Sequence, residues 1–286
     1  MGTVKQVAVL GGRGMLGTDL FEILMGRGLV PTTYDLPELD LRNPGHLEMA
    51  LQEADAVVNC AAYTNVDGAE SNAEAAYSVN ADAVGTLGRL AAGRNVPVLH
   101  ISTDFVFDGK GDHPYKEEDP VGPLGVYGAS KLKGEQLLAG SGCHYCTVRV
   151  QWTYGTFGNN FIKKILERGR NGQPLKVVDD QFGAPTSTRE VALALTDLLL
   201  RPEGIPKGLF HFAAAGYASR FEVARFVIEK KGLDVEVTPC KSSEFTAPAK
   251  RPLNSRFDCH KIAEFLSEPI KPWQLPLEHY LEHLEP

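Results

Sequence analysis

The residues best suited to chemistry are a tyrosine and a lysine four positions apart in the run Tyr127-Gly128-Ala129-Ser130-Lys131. On a helix, positions i and i+4 lie one above the other, so the phenol and the ammonium would be neighbours. A phenol is ordinarily too weak an acid at neutral pH, and a nearby positive charge favours its ionised form. The spacing therefore predicts Tyr127 as a general acid whose pKa is lowered by Lys131.

A third candidate lies where an apolar run, residues 96–102, gives way to Ser102-Thr103-Asp104. Open parallel sheets place their active sites at the carboxyl ends of their strands. A hydroxyl at that point would hold a substrate carbonyl next to Tyr127. The alternative is an ordinary Ser/Thr turn that ends the strand. We predict Thr103 as the catalytic hydroxyl.

A glycine-rich loop, Gly11-Gly12-Arg13-Gly14-Met15-Leu16-Gly17, joins the first apolar run to the first helical segment. Gly11 suits a tight turn, Gly14 admits a pyrophosphate close to the backbone, and Gly17 permits close contact between helix and sheet. The helix N-terminus adds unpaired N–H groups and a positive dipole. The loop predicts a nicotinamide dinucleotide, whose positive ring would further favour the Tyr127 phenolate. The alternative is a glycine-rich turn without a ligand. The predicted contacts are Gly11, Arg13, Gly14, Met15, Leu16 and Gly17.

The adenine end of the dinucleotide carries two conflicting signals. Asp35 ends the second strand, where an acid binds the ribose hydroxyls and repels a 2′-phosphate, which favours NADH. Arg13 would instead pair with that phosphate and favour NADPH. Asp40 and Leu41 are a second candidate for contact with the adenine end. Asp35 and Asp40 could each instead be a helix cap or a solvated loop residue. We expect NADPH, with NADH as a second substrate.

The elements that must position these residues alternate along the chain. Strand-like runs at 7–11, 30–35, 56–60, 96–102 and 145–150 are separated by helical segments at 15–27, about 69–94 and 131–138. Strands that are apolar throughout and separated by helices form a parallel sheet covered on both faces. The sequence predicts an α/β protein with a Rossmann-type, doubly wound parallel sheet.

The second half has a looser rhythm and ends in a proline-rich tail. Helices are predicted at 161–170, 189–200 and 221–231, with strands at 175–178 and 209–213. We predict a dinucleotide-binding domain over residues 1–151, to which about 186–215 return. Residues 152–286 are predicted to form mainly a smaller α/β lobe that binds the substrate.

Composition excludes several functions. The net charge of -7 argues against a nucleic-acid surface. The sequence has no apolar run of about 18 residues, as a membrane span would need, and no signal-peptide pattern. Gly2 does not begin a myristoylation signal, because such a signal needs Ser or Thr where this chain has Gln6. We expect a cytoplasmic protein without a membrane or nucleic-acid partner. Cys143 and Cys146 form a lone C-x-x-C, predicted to be buried thiols rather than a zinc or redox site.

Together these residues resemble the dTDP-4-dehydrorhamnose reductases, within the extended short-chain dehydrogenases/reductases, whose glycine spacing is G-x-x-G-x-x-G. The resemblance spans nearly the whole chain in order. Its matching runs are 11–17, Asn59-Cys60-Ala61-Ala62-Tyr63-Thr64-Asn65-Val66-Asp67, Ser102-Thr103-Asp104-Phe105-Val106-Phe107-Asp108-Gly109, 127–131, Trp152-Thr153-Tyr154-Gly155, Gly158-Asn159-Asn160-Phe161, Asp180-Gln181-Phe182-Gly183-Ala184-Pro185-Thr186 and Arg251-Pro252-Leu253-Asn254-Ser255.

The resemblance implies roles for particular residues. Thr103, Tyr127 and Lys131 would be catalytic. The cofactor would also be lined by Ala61, Ala62 and Tyr63, and the sugar nucleotide would be contacted by Thr103, Asp104, Trp152, Asn160, Gln181 and Arg251. Independently, Arg251 suits a diphosphate and Trp152 suits an apolar sugar or base face. Their alternatives are a surface ion pair and a core aromatic residue.

Two positions depart from the family pattern. Gln151, in Arg149-Val150-Gln151-Trp152, replaces a small residue and would alter hydrogen bonding near the sugar, and Met15 replaces a glutamine in the glycine loop. Some members dimerise around magnesium. Asp19 and Glu190 are suitably placed, but we do not predict a metal site. We expect a monomer or a homodimer.

The resemblance implies reduction of the 4-keto group of dTDP-4-dehydro-6-deoxy-L-mannose to give dTDP-L-rhamnose. The related 4,6-dehydratases typically have Thr-Asp-Glu where this chain has Thr103-Asp104-Phe105, so elimination would lack its base. Two alternatives remain open. One is a non-catalytic, NADP-binding regulatory subunit similar to the β subunit of methionine adenosyltransferase, and the other is a nucleotide-sugar 4-epimerase.

Overall fold

A six-stranded parallel sheet forms the centre of the protein, for which a computed structural model describes residues 4–284. Met1 and Gly2, on which the signal-peptide and myristoylation predictions rest, lie outside the described residues. The strands are β1 (Gln6–Leu10), β2 (Val30–Tyr34), β3 (Ala56–Asn59), β4 (Val98–Thr103), β5 (Tyr145–Val150), β6 (Thr153–Tyr154), β7 (Leu175–Val178), β8 (Phe182–Gly183), β9 (Thr186–Ser187), β10 (Gly208–Phe212), β11 (Ala218–Ser219) and β12 (Val237–Cys240).

Helices cover both faces of this sheet, as its uniformly apolar strands require. Leu20 and Leu195, from the first and eighth helices, belong to the core on one face, and Leu47 and Leu87, from the second and fifth, belong to the core on the other. The helices are α1 (Met15–Gly26), α2 (Pro44–Leu51), α3 (Val66–Ser71), α4 (Ala73–Tyr77), α5 (Ala83–Arg94), α6 (Val126–Ala139), α7 (Phe161–Arg170), α8 (Thr188–Leu199), α9 (Arg220–Lys230), α10 (His260–Ala263) and α11 (Gln274–His283).

The strand order of the sheet is β10-β5-β4-β3-β1-β2. After β1 the chain adds β2 on one side, and it then returns to add β3, β4 and β5 on the other side, so the order switches between β1 and β3. In a doubly wound sheet, the crevice outside the carboxyl ends of the strands at such a reversal is the ligand site. β1 runs into the glycine loop, and β4 ends at Thr103. The predicted α/β class with a Rossmann-type sheet is confirmed.

A second apolar core lies under the C-terminal part of the chain, where Ile162 of α7 and Val227 of α9 are buried with Leu277 of α11. Short strand pairs, β11 with β8, β12 with β7 and β6 with β9, complete this part. β10, from the segment 186–215, pairs with β5 at the edge of the main sheet. The division into two domains stays a prediction.

The structure corrects two sequence predictions. The single helix predicted over about 69–94 is broken at Asn72, whose φ of -138° and ψ of 54° are not helical, and continues through a π-helical turn at Ser78–Asp82 before α5. The proline-rich tail also contains β12, α10 and α11, which the sequence did not reveal. Cys143 and Cys146 are buried free thiols in the cores on opposite faces of the sheet, as predicted.

Candidate active site

A single cleft of about 1620 Å³ runs from the glycine loop, past the carboxyl ends of β3 and β4, to the C-terminal part of the chain. Pockets for one small ligand are roughly 300–1,000 Å³, so this cleft has room for a dinucleotide and a second ligand. Of the predicted site residues, all but Arg13 line it. They are Gly11, Gly14, Met15, Leu16, Gly17, Asp35, Asp40, Leu41, Ala61, Ala62, Tyr63, Thr103, Asp104, Tyr127, Lys131, Trp152, Asn160, Gln181 and Arg251.

The glycine loop has the shape that a pyrophosphate requires. Gly11 has a φ of +79°. A Cβ atom there would lie 2.7 Å from the backbone nitrogen of Ala61, in the loop that follows β3. A Cβ atom at Gly17 would lie 2.2 Å from the Gly11 carbonyl oxygen. Gly14 is the N-cap of α1 and supplies no capping side chain, which leaves the first-turn N–H groups to an anion. These residues fit a dinucleotide phosphate.

Gly17→Ala is expected to weaken NADPH binding by on the order of tenfold or more, because the new methyl group forces α1 away from the Gly11 turn. The matched control is Gly26→Ala in the same helix, where a Cβ atom meets nothing within 4 Å. Titration of NADPH fluorescence measures both variants. Equal affinity of Gly17→Ala and the unaltered protein would show that this close contact does not shape the cofactor site.

At the predicted adenine end, the protein's own backbone already uses the Asp35 carboxylate. Asp35 accepts hydrogen bonds from the N–H groups of Arg13 at 2.9 Å and Leu36 at 2.8 Å. The exposed Arg13 guanidinium pairs with Glu38 at 2.9 Å, outside the cleft lining. Asp40 likewise pairs with a neighbour, Arg42, at 2.6 Å. The contacts of Arg13, Asp35 and Asp40 with a cofactor stay predictions.

Tyr127 and Lys131 lie near the start of α6, and two contacts fix this helix. The Glu70 carboxylate accepts the Val126 N–H group at 2.8 Å and so caps its first turn. Gly128 lets the helix approach β4's end, because a Cβ atom there would lie 2.1 Å from the Phe105 carbonyl oxygen. The Phe105 ring packs edge-on against the Tyr127 ring, with centroids 5.5 Å apart. The tyrosine is therefore held against the loop that follows Thr103.

The predicted direction of the Tyr127 pKa shift is wrong for the polypeptide by itself. Burial raises the pKa of Tyr127 to about 12, the Asp104 carboxylate adds to the rise, and the neighbouring Thr103 hydroxyl opposes it. Lys131 is not among the causes of this shift, and its ammonium is hydrogen-bonded to the Ile101 carbonyl oxygen. A phenol with a raised pKa keeps its proton at neutral pH, which is the state that a general acid needs before it reacts.

Lys131 is buried beneath the cleft and anchored to β4. Its Nζ donates to the Ile101 carbonyl oxygen at 2.7 Å and lies 3.5 Å from His100 Nε2. The other ring nitrogen of His100 faces the Asn59 amide at 3.2 Å. Burial lowers the pKa of Lys131 to about 8, and the Glu135 carboxylate opposes that shift. The ammonium therefore binds β4 in this structure and loses its proton readily above neutral pH.

Thr103 and Asp104 form a buried polar pair beside Tyr127. The Thr103 hydroxyl donates to Asp104 Oδ1 at 3.1 Å and accepts the Phe105 N–H group at 3.2 Å. The Ser255 hydroxyl donates to Asp104 Oδ2 at 2.5 Å. Burial raises the pKa of Asp104. The structure thus brings Thr103, Asp104 and Tyr127 together at one end of the cleft.

The remaining predicted substrate residues have partners within the protein. Asn160 caps α7 by accepting the Lys163 N–H group at 3.0 Å, and its amide donates to the Gly155 carbonyl oxygen at 3.0 Å. Gln181 donates to the Ser242 hydroxyl at 3.0 Å. All of these residues still line the cleft, so their contacts with a substrate stay predictions.

Arg251 reaches across the cleft mouth to α3. It binds Asp67 through two hydrogen bonds, of 2.8 and 2.7 Å, and also donates to the Ala249 carbonyl oxygen at 2.6 Å. Gln151, predicted to alter hydrogen bonding near the sugar, is buried and accepts the Ala184 N–H group at 3.2 Å. It therefore braces the loop behind the neighbouring Trp152.

Trp152 has a φ of +47°, a conformation that side-chain-bearing residues rarely adopt. Its ring packs over Gly183, where a Cβ atom would lie 2.7 Å from the indole. On its other side lies the Arg220 guanidinium, 3.7 Å from the ring centroid. Sequence reasoning missed Arg220 because it belongs to no motif. The only local signal is the capping pair Ser219 and Glu222, which predicts the start of α9 but not the direction of the side chain.

The carboxylates considered for magnesium are separately engaged. The Thr188 hydroxyl donates to the buried Asp19 at 2.5 Å, and Glu190 pairs with Lys271 at 3.0 Å. Residues 4–284 contain no group of three or more His, Cys, Asp or Glu side chains placed to hold a metal ion. Nor does any helix in that range have the length and apolar character needed to cross a bilayer.

The fold and the site define a dinucleotide-dependent oxidoreductase of the Rossmann type. Comparison with known proteins identifies its family. The chain belongs to the RmlD substrate binding domain family, which it matches over residues 5–285. It is 37% identical over 252 residues to the dTDP-4-dehydrorhamnose reductase of Sinorhizobium fredii, a match that covers 85% of each chain.

Solved structures agree. The dTDP-4-dehydrorhamnose reductase of Clostridium acetobutylicum superposes with a TM-score of 0.91 at 34% identity and covers 97% of this chain and 98% of its own. The enzyme of Bacillus anthracis, solved in complex with NADP, gives a TM-score of 0.92 at 30% identity, with 98% and 100% of the two chains covered. The family resemblance read from the motifs is confirmed.

Proposed function

We propose that this protein reduces the 4-keto group of dTDP-4-dehydro-6-deoxy-L-mannose to a hydroxyl group, giving dTDP-L-rhamnose. The observation that carries the proposal is the convergence of Thr103, Tyr127 and Lys131 on one cleft with the glycine loop. The family supports the same activity, since two relatives of 37% and 34% identity are named dTDP-4-dehydrorhamnose reductase.

The cofactor is NADPH, the reduced form of the NADP found in the complex of the Bacillus anthracis relative, and NADH is a second donor. The loop from Gly11 to Gly17 and the first turn of α1 would hold its pyrophosphate, and Asp35 and Arg13 would face the adenine ribose. When bound, NADPH supplies the hydride that the sugar carbon receives. Arg13 would have to leave Glu38 to meet a 2′-phosphate, which is an exposed and inexpensive exchange.

The residues of the chain supply the proton and the orientation. The sugar carbonyl oxygen would lie between the Thr103 hydroxyl and the Tyr127 phenol. As the carbonyl oxygen gains negative charge, Tyr127 donates its proton and the carbonyl becomes a hydroxyl. For Lys131 to stabilise the phenolate left behind, its ammonium would have to turn from the Ile101 carbonyl oxygen towards the phenol. Proximity in one closed cleft supplies much of the acceleration.

Further parts of the proposal concern the surroundings of the enzyme. We place it in the cytoplasm, where the reduced cofactor is made, as a monomer or a homodimer. Asp104, Trp152, Asn160, Gln181 and Arg251 would line the sugar nucleotide.

The test is to mix the protein with NADPH and the dTDP-4-keto-6-deoxysugar and to follow the nicotinamide absorbance. We expect one NADPH oxidised per sugar reduced, with dTDP-L-rhamnose as the product by chromatography. Tight NADPH binding without oxidation would instead indicate the regulatory subunit. A protein that purifies with bound NAD and interconverts sugars with no net cofactor use would be the 4-epimerase.

A further inference from the structure

Arg220 places a positive charge deep in the cleft. It is the first residue of α9, and its N–H group donates to the Gln181 carbonyl oxygen at 3.3 Å. Ser219 and Glu222 form a capping box around it, so the backbone is fixed. The guanidinium carbon lies 3.7 Å from the Trp152 ring centroid and 5.0 Å from that of Phe161. The side chain is thus held between two aromatic rings and lines the cleft.

This guanidinium has no acceptor of its own. Across residues 4–284, the Arg220 side chain makes neither an ion pair nor a hydrogen bond. The Asp104 carboxylate acts on it electrostatically, but the two oxygens of Asp104 accept the Thr103 and Ser255 hydroxyls. Burial lowers the pKa of Arg220 to about 10. A partly buried cation that no protein acceptor binds is poorly satisfied, and stacking on tryptophan offsets only part of that cost.

Arg251, by contrast, is already satisfied by Asp67 and the Ala249 carbonyl oxygen. The charges of Asp104 and Arg251 both act on Arg220. Arg220 is therefore within range of the reacting end of the cleft, where Asp104 lies beside Thr103, and of the part that Arg251 bridges to α3. In a nucleotide sugar, the diphosphate likewise joins the sugar to the base.

We propose that Arg220 binds the diphosphate of the substrate, at the phosphoryl group linked to the sugar. This inference rests on the proposed function for the identity of the nucleotide sugar. The face of the guanidinium is covered by Trp152, so its N–H groups point sideways from the stack and offer a planar fork to two phosphoryl oxygens. The phosphoryl oxygens of the bound diphosphate would accept the hydrogen bonds for which the protein offers Arg220 no acceptor, and stacking on Trp152 would orient the guanidinium.

The experiment measures the affinity of thymidine, dTMP and dTDP by calorimetry for the full-length protein and for Arg220→Met. In the unaltered protein, affinity should rise with each phosphoryl group. Arg220→Met should lose on the order of 10- to 100-fold of its dTDP affinity, the usual range for hydrogen bonds to charged groups, and leave thymidine binding unchanged. Arg220→Lys should recover part of the loss, because it keeps the charge but not the fork.

Arg225→Met is the matched control. Arg225 lies on the same helix with its guanidinium 5.8 Å from the Phe221 ring, and it lines a different, small pocket. It should bind all three ligands as the unaltered protein does. NADPH titration checks that every variant is folded.

Two results would overturn the inference. One is an equal loss of thymidine and dTDP affinity in Arg220→Met, which would mean that Arg220 only positions Trp152. The other is no preference for dTDP over thymidine in the unaltered protein. The affinities of dTDP and thymidine are measured without turnover, so the NADPH oxidation assay tests the proposed function separately. A phosphate-dependent ratio without NADPH oxidation would leave Arg220 as an anion site and refute the reductase.

Discussion

Tyr127→Phe is expected to lower turnover by on the order of a hundredfold or more while NADPH binds as tightly as before. The phenyl ring keeps the edge-on contact with Phe105, so the shape of the site is preserved. What is lost is the phenolic proton, which lies beside Thr103. The raised pKa of Tyr127 keeps that proton on the phenol across the neutral range. Steady-state NADPH oxidation and a fluorescence titration give the two numbers.

Tyr217→Phe serves as the control for this prediction. Its hydroxyl donates to the Phe257 carbonyl oxygen at 3.0 Å, half-exposed and outside the cleft, so turnover should hardly change. Retention of full turnover by Tyr127→Phe would show that another group donates the proton. Loss of NADPH binding in step with turnover would mean that the phenol serves the cofactor rather than the sugar.

The sheet could be predicted from sequence because its signals are local. Residues 7–10 are buried side by side in β1, and the glycine spacing that follows allows few other conformations. The C-terminal part lacks such signals. β8 and β11 have two residues each and are separated by the 34 residues from 184 to 217, so their pairing depends on tertiary contacts. Two-residue strands leave no periodicity to detect.

The candidate site also has parts that local sequence signals predict and parts that depend on tertiary contacts. Motif spacing predicted that Thr103, Tyr127 and Lys131 share one cleft, because each position follows from where a strand ends or a helix begins. All three line the cleft, and their catalytic roles stay predictions. The partner that a charged side chain chooses is a tertiary fact. Arg13 turns to Glu38, and Arg220, without a motif, points into the cleft. The raised pKa of Tyr127 could not be predicted for the same reason. It depends on burial of the phenol, while the Lys131 ammonium, which was expected to lower that pKa, is bound to Ile101.

The second large effect is expected at Glu135, which continues the face of α6 that carries Tyr127 and Lys131. Glu135 binds Arg149 of β5 through two hydrogen bonds of 2.9 and 2.7 Å, and the two side chains are only 9% and 3% exposed. The pair fastens the catalytic helix to the sheet. Breaking one side of a buried pair is costly because the other charge remains without a partner.

Glu135→Gln is therefore expected to lower the free energy of unfolding by about 3–5 kcal/mol, measured by urea denaturation. Glu244→Gln is the control, since Glu244 forms an exposed ion pair with Lys176 and its loss should be barely measurable. The double variant Glu135→Leu with Arg149→Met should recover much of the lost stability, because it buries no unpaired charge. A Glu135→Gln protein as stable as the unaltered one would refute the pair as a structural anchor.

The same substitution should also change the pH profile of the folded enzyme. The Glu135 charge raises the pKa of Lys131 against the lowering effect of burial. Removing that charge lowers the pKa further, so Lys131 loses its proton at a lower pH. Because the ammonium is the form that stabilises the phenolate, the alkaline fall in kcat/KM should begin at lower pH in Glu135→Gln. An unchanged alkaline limb, at temperatures where the variant is folded, would show that Lys131 does not control this part of the reaction.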